Sequence, residues 1–180
     1  LFYITASLWF WLNPPRLLSF WPGLLLLAFF GVVFVIDMEH RLILHPVSIF
    51  GAVLGLVLGI SMRGLWTTLL GGVIGYSVML GLYWFGDVFA RWLARRRGEV
   101  LTEVALGFGD VNLAGILGLL LGWPGIVAGL LLTIIIGGVV SILYLLLTVV
   151  LQRYRAFMAI PYGPFMVISA ILLIYFKLPV

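Results

Sequence analysis

The chain reads as an all-α bundle of membrane-crossing helices. Three observations predict this. Hydrophobic residues fill 64% of the 180 positions and charged residues only 9%, against roughly a quarter charged in soluble globular domains. Mean hydropathy is +1.29. The apolar residues fall in runs near 20 long, the helix length that crosses ~30 Å of hydrocarbon at ~1.5 Å per residue. About seven spans follow, read as one integral membrane domain over residues 1–180.

Leu1–Leu12 is the end of a first span and stops at Asn13-Pro14-Pro15. Position 1 is Leu rather than Met, so the start is expected to be trimmed. Leu17–Ile36 is a full span, followed by the polar strip Asp37-Met38-Glu39-His40-Arg41. A third runs from about Pro46, a residue suited to a first helical turn, to Met62. Arg63-Gly64 turns the chain into Leu65–Phe85. The most polar stretch follows, with Asp87, Arg91, Arg95, Arg96, Arg97, Glu99 and Glu103. Val104–Trp123 contains Asp110 and ends at Pro124-Gly125. Ile126–Leu151 and Ala159–Leu178 complete the count, the last opening with Pro161-Tyr162-Gly163-Pro164.

Basic residues set the orientation, because loops rich in Lys and Arg stay cytoplasmic. Seven spans put Arg41, Arg91, Arg95, Arg96, Arg97, Arg153 and Arg155 on one side and Arg16, Arg63 and Lys177 on the other. The richer side is expected to be cytoplasmic, in an inner membrane. Small residues recur at helical spacing in Gly51-x3-Gly55-x3-Gly59, Gly71-x3-Gly75, Gly118-x3-Gly122 and Gly125-x3-Gly129. Such stripes let membrane helices approach closely and are read as internal packing surfaces in preference to a dimer interface. Trp9, Trp11, Trp21, Trp66, Trp123, Tyr154 and Tyr175 near span ends read as interfacial anchors.

The absence of cysteine excludes disulfides and thiol chemistry. The net charge of +4 is a topology signal, and no nucleic-acid partner is expected. His40 and His45 have no third ligand spaced to join them, so no metal is expected.

Two aspartates carry the chemistry. A carboxylate at membrane depth is costly and is rarely kept without a task. The two spans between Asp37 and Asp110 make an out-and-back hairpin, which returns Asp110 to the face where Asp37 sits. Two carboxylates sharing a site resist double ionisation, so one proton is held between them. The ionised member can draw a proton from water while the protonated one polarises a peptide carbonyl and later feeds the leaving amine. Gly107 and Gly109 flank Asp110 and permit close backbone approach of an extended substrate. Broken helix beside a carboxylate is tolerated at depth only where protein or a water cavity surrounds it.

Three segments in order resemble the type IV prepilin peptidase family. Ile36-Asp37-Met38-Glu39-His40-Arg41-Leu42-Ile43-Leu44 is similar to its first aspartate motif. Gly107-Phe108-Gly109-Asp110-Val111-Asn112-Leu113-Ala114 resembles its Gly-x-Gly-Asp-x-Lys-Leu motif, and Gly118 to Trp123 fits that motif's helix. Ile160-Pro161-Tyr162-Gly163-Pro164-Phe165 resembles its Ile-Pro-Phe-Gly-Pro-Phe segment. The resemblance implies a membrane aspartyl endopeptidase with Asp37 and Asp110 as catalytic dyad. It would remove basic leaders from prepilins or pseudopilins at the cytoplasmic face, with the lipid bilayer as its setting. Proteolysis would need no cofactor; many members also N-methylate the new terminus with S-adenosylmethionine.

Two departures stand out. Asn112 occupies the family's lysine position, removing a cation expected near Asp110. The paired Cys-x-x-Cys motifs of longer members are absent from this cysteine-free chain. Gly107, Gly109, Glu39, Glu103, Asn112, Pro161 and Gly163 are expected to contact substrate. For Asp37 the bland alternative is a solvated helix-end charge paired with Arg41; for Asp110 it is a helix cap. Rival readings are a presenilin or signal-peptide-peptidase type protease, and a proton-coupled transporter with the two aspartates as relays.

Overall fold

The computed structural model describes residues 5, 11, 18–40, 44–97, 107–151 and 162–176. Six helices are set within these: α1 (Phe20–His40), α2 (His45–Arg63), α3 (Leu65–Arg97), α4 (Phe108–Leu121), α5 (Gly125–Val150) and α6 (Gly163–Tyr175). No strand occurs among the described residues. Four helices are long and apolar enough to cross a membrane: Phe20–His40, His45–Arg63, Leu65–Trp92 and Gly125–Val149. These make a multi-pass membrane protein.

The sequence-based count of seven differs from this at three places. The first expected span lies outside the described residues except for Thr5 and Trp11, both helical. The segments bearing Asp110 and Gly163 form helices of only 14 and 13 residues. At ~1.5 Å per residue these reach ~20 Å, short of the ~30 Å hydrocarbon core. Gly122, at φ +63°, ends α4 by leaving helical geometry. The turn that follows is pinned by the Trp123 amide, which donates to Thr67 O at 2.9 Å.

Two other boundaries move. Asp37 to His40, in the polar strip after Ile36, form the last turn of α1 and not a loop. Helix α3 runs past Phe85 to Arg97, because the polar stretch there is itself a good helix. Arg91 and Asp87 pair one turn apart, with Nε and Nη2 at 3.1 and 2.5 Å from the two carboxylate oxygens.

Helix α4 sits at the centre, packed by α2, α3, α5 and α6. It can do so because the small-residue stripes interlock. A β-carbon at Gly118 would lie 2.7 Å from the Gly71 carbonyl carbon, and one at Gly71 would lie 2.6 Å from Gly122 Cα. Gly51 admits Phe29 of α1 and Ile116 of α4, each within 2.9 Å of where its β-carbon would be. The glycines therefore serve packing inside the chain, as expected from their spacing.

Helix α6 lies against α1, α4 and α5. Hydroxyls tie it in place. Tyr175 Oη donates to Gly23 O of α1 at 2.7 Å, and Thr133 Oγ1 of α5 meets Ser169 Oγ at 2.8 Å. Tyr175 is 2% exposed, which corrects its reading as an interfacial anchor. Its phenol braces two helices instead. Trp11, Trp21, Trp66 and Trp123 are exposed, as the anchor reading requires; Trp9 and Tyr154 lie outside the described residues.

Candidate active site

On α1 the buried positions Gly23, Leu26, Leu27, Phe30 and Val33 recur at three- and four-residue spacing, and Asp37 continues that stripe. Its place on the inward face was set by helical periodicity, not by its polarity. The carboxylate is 4% exposed. The solvated helix-end reading of Asp37 is therefore incorrect. Arg41, its alternative partner, lies outside the described residues.

Gly107 is the N-cap of α4, in extended geometry, and Asp110 is the third residue of the helix. The Asp110 amide donates to Gly107 O at 3.1 Å. The carboxylate folds back toward the same residue, with Oδ2 3.6 Å from the site a Gly107 β-carbon would occupy, within electrostatic reach of the Gly107 backbone. The helix dipole favours an acidic group in this first turn. Asp110 thus stands at the N-terminal end of α4 with one oxygen turned toward Gly107. It is 8% exposed.

The other oxygen faces Asp37. Gly163 begins α6, and a β-carbon built on it would collide with Asp37 Oδ2. That point is 2.9 Å from Asp37 Cγ and 3.6 Å from Asp110 Oδ1. Two buried carboxylates 73 residues apart in sequence, from two helices, thus converge on the space where a side chain of a third would begin, at Gly163, and their charges act on each other. Three segments distant in sequence make one constellation.

The remaining expected residues divide. Gly107 and Gly109 lie at the start of α4 beside Asp110, and Gly163 is at the point of convergence. Glu39 points outward, exposed, 3.8 Å from His40 Nδ1. Glu103 and Pro161 lie outside the described residues. Asn112 is two residues beyond Asp110, about 200° around the helix. It lines a cavity between α2, α3 and α4 on the opposite side of α4. The cation at this position was expected near the dyad; the helical offset directs the side chain elsewhere.

One neighbour escaped the sequence reading. Tyr162 caps α6, next to Gly163, within electrostatic range of Asp110. The signal was its place in the Pro161–Phe165 segment, where the family resemblance has Phe. Among the described residues, no three His, Asp or Glu side chains form a group able to hold a metal ion.

The type IV leader peptidase family model matches residues 24–142, about two-thirds of the chain, including both aspartates. The chain belongs to the type IV leader peptidase family. No curated protein and no solved structure matches it. Membership makes this leader peptidase relative a membrane protease with a protein substrate. It also decides against the presenilin-type reading. The Pro161–Phe165 segment lies beyond the matched residues, so its part in the site rests on Gly163's contact with Asp37.

Proposed function

We propose that the protein is an aspartic endopeptidase that removes leader peptides from prepilins or pseudopilins, with Asp37 and Asp110 as its catalytic pair. The convergence of the two buried carboxylates at Gly163 is the observation that supports this reading. Burying two acids together is unfavourable unless they share a task or a proton.

In the first step the ionised carboxylate takes a proton from water as the oxygen attacks the scissile carbonyl. The protonated carboxyl donates to the developing oxyanion. As the tetrahedral gem-diol collapses, the protonated carboxyl gives its proton to the departing amine, the C–N bond breaks, and the ionised carboxylate takes a proton from a diol hydroxyl as the carbonyl re-forms, so the pair ends with one proton, as it began. Asp110 Oδ2 is turned toward Gly107, which leaves Oδ1, on the Asp37 side, for this exchange. Water and two carboxylates suffice for the chemistry.

The excess of basic residues on the Asp37 side supports a site at the cytoplasmic face of an inner membrane. N-methylation of the new terminus would require S-adenosylmethionine. Among the described residues, the cavity beside Asn112 is lined by no carboxylate to meet its sulfonium, so it does not fit that group.

Purified protein reconstituted in vesicles with a prepilin tests the reading by mass spectrometry. Loss of the leader mass, abolished by Asp37→Asn and by Asp110→Asn, is the expected result. An unchanged substrate mass with wild-type protein rejects it. A further gain of one methyl would reveal the second activity.

A further inference from the structure

Arg63 closes α2 at the end of the bundle away from the dyad. The twelve residues from Asp110 to Gly122 put that end ~18 Å further along α4. The side chain is held in place there. Its stem lies over Gly122, with Cδ 2.9 Å from where a β-carbon on that glycine would be. Its backbone is fixed as well. Thr67 Oγ1 donates to Arg63 O, and Thr67 O accepts from the Trp123 amide. Nε is enclosed and meets no acceptor. The two terminal amines also pair with no group among the described residues, but unlike Nε they are not enclosed. They are the open part of the guanidinium.

A half-buried guanidinium that cannot shed its charge calls for an anion, and the chain places none at this end. It holds six acidic residues. Asp37 and Asp110 form the dyad, and Glu39 follows Asp37 on the last turn of α1. Asp87 lies 22 residues past Leu65, ~33 Å along α3, and is paired with Arg91. Glu99 and Glu103 fall in sequence between Arg97, where α3 ends, and Phe108, where α4 begins. The carbonyl ends of α2 and α4 supply partial negative charge only. A full counter-charge therefore comes from outside the chain. Trp66 and Trp123, on either side of the same turn, are 77% and 44% exposed, the aromatic pattern of a headgroup interface. The anion a membrane offers at that level is a phosphodiester, and paired terminal amines match two of its oxygens.

We propose that Arg63 holds the phosphate of a phospholipid headgroup in the leaflet opposite the dyad. The two terminal amines make the contact, and Trp66 and Trp123 border the site. The inference rests on the membrane setting and not on the proteolytic reading.

The test uses full-length protein in phosphatidylethanolamine–phosphatidylglycerol vesicles. These are doped with a phosphatidylethanolamine whose headgroup amine carries a diazirine. After irradiation, labelled peptides are mapped by mass spectrometry. Labelling at residues 64–67 and 122–124 should exceed that around Trp21, which is exposed at the start of α1 and reports bulk headgroups at the same end. Arg63→Gln should cut the excess at least about tenfold, the worth of a hydrogen bond to a charged group, while Trp21 labelling stays constant. A diacylglycerol carrying the same diazirine but no phosphate should label the two places equally, a comparison made on wild-type protein alone. Inorganic phosphate added in excess over the lipid label should leave the pattern unchanged. Asp110→Asn should keep it too, so loss of proteolysis leaves this result untouched. Equal wild-type labelling at the two places, or an excess that survives Arg63→Gln, overturns the proposal. An excess shared by the diacylglycerol also overturns it, and assigns the place to an apolar contact. Loss of the excess to inorganic phosphate overturns the lipid source, and assigns Arg63 to a free anion.

Discussion

The Asp37 carboxylate occupies the space in which a side chain on Gly163 would begin. Helix α6 therefore approaches the end of α1 as closely as a backbone can. Asp110 Oδ1 reaches the same point from α4. The three helices meet at a position where only hydrogen fits, and the pairing of the acids depends on that vacancy.

Gly163→Ala should accordingly impair leader removal far more than it impairs folding. The added methyl displaces Asp37, an overpacking change of about 1–3 kcal/mol. Gly81→Ala is the control, because a β-carbon there meets nothing within 4 Å. It should leave turnover intact and stabilise the helix slightly, by up to ~1 kcal/mol. Equal turnover in the two variants would contradict the geometry.

Asp37→Asn and Asp110→Asn should each lower the rate of leader removal by at least roughly 10²–10⁴-fold, the range for losing a general acid or base. Both should still insert and elute as wild type. A variant that processes prepilin at the normal rate would remove its residue from the dyad.

Gly118→Val should destabilise the bundle through the α3–α4 interface. The larger side chain meets the Gly71 backbone, which has no rotamer to turn aside. A loss of at least about 1–3 kcal/mol is expected, read as a lower unfolding midpoint in a denaturing detergent titration. A wild-type midpoint would mean that α3 and α4 are not interlocked.

Tyr175→Phe removes the hydrogen bond to Gly23 O that joins α6 to α1. About 0.5–1.5 kcal/mol of stability should go with it. Because Tyr175 lies at the far end of α6 from Gly163, the rate of leader removal by the folded fraction should hold. A large drop in rate without loss of stability would place Tyr175 in a different role.

Much of the site was legible in the residues alone. The unfavourable burial of acid in lipid singled out Asp37 and Asp110, and counting crossings brought them to one face. The glycine stripes announced the close packing of α3 on α4. What hid was direction. Asn112 reads as a neighbour of Asp110 along the chain, yet two residues turn a helix most of the way to its other side. Tyr175 looks like an interfacial anchor until α1 is seen to offer it a carbonyl. The short reach of α4 and α6 hid for another reason. Apolar runs continue past the helix ends, and hydropathy does not mark where a backbone leaves helical geometry at Gly122.

Helix α3 also works as a depth gauge. The Tyr83 ring meets Phe108, two residues before Asp110, with centroids 5.8 Å apart. From Leu65 to Tyr83 the helix climbs about 27 Å at its regular rise, nearly the full thickness of the oily layer, ~30 Å. If Leu65 marks one shore, the acids lie just inside the other. On the proposed function, a scissile bond would then have to enter the oily layer by only about one helical turn.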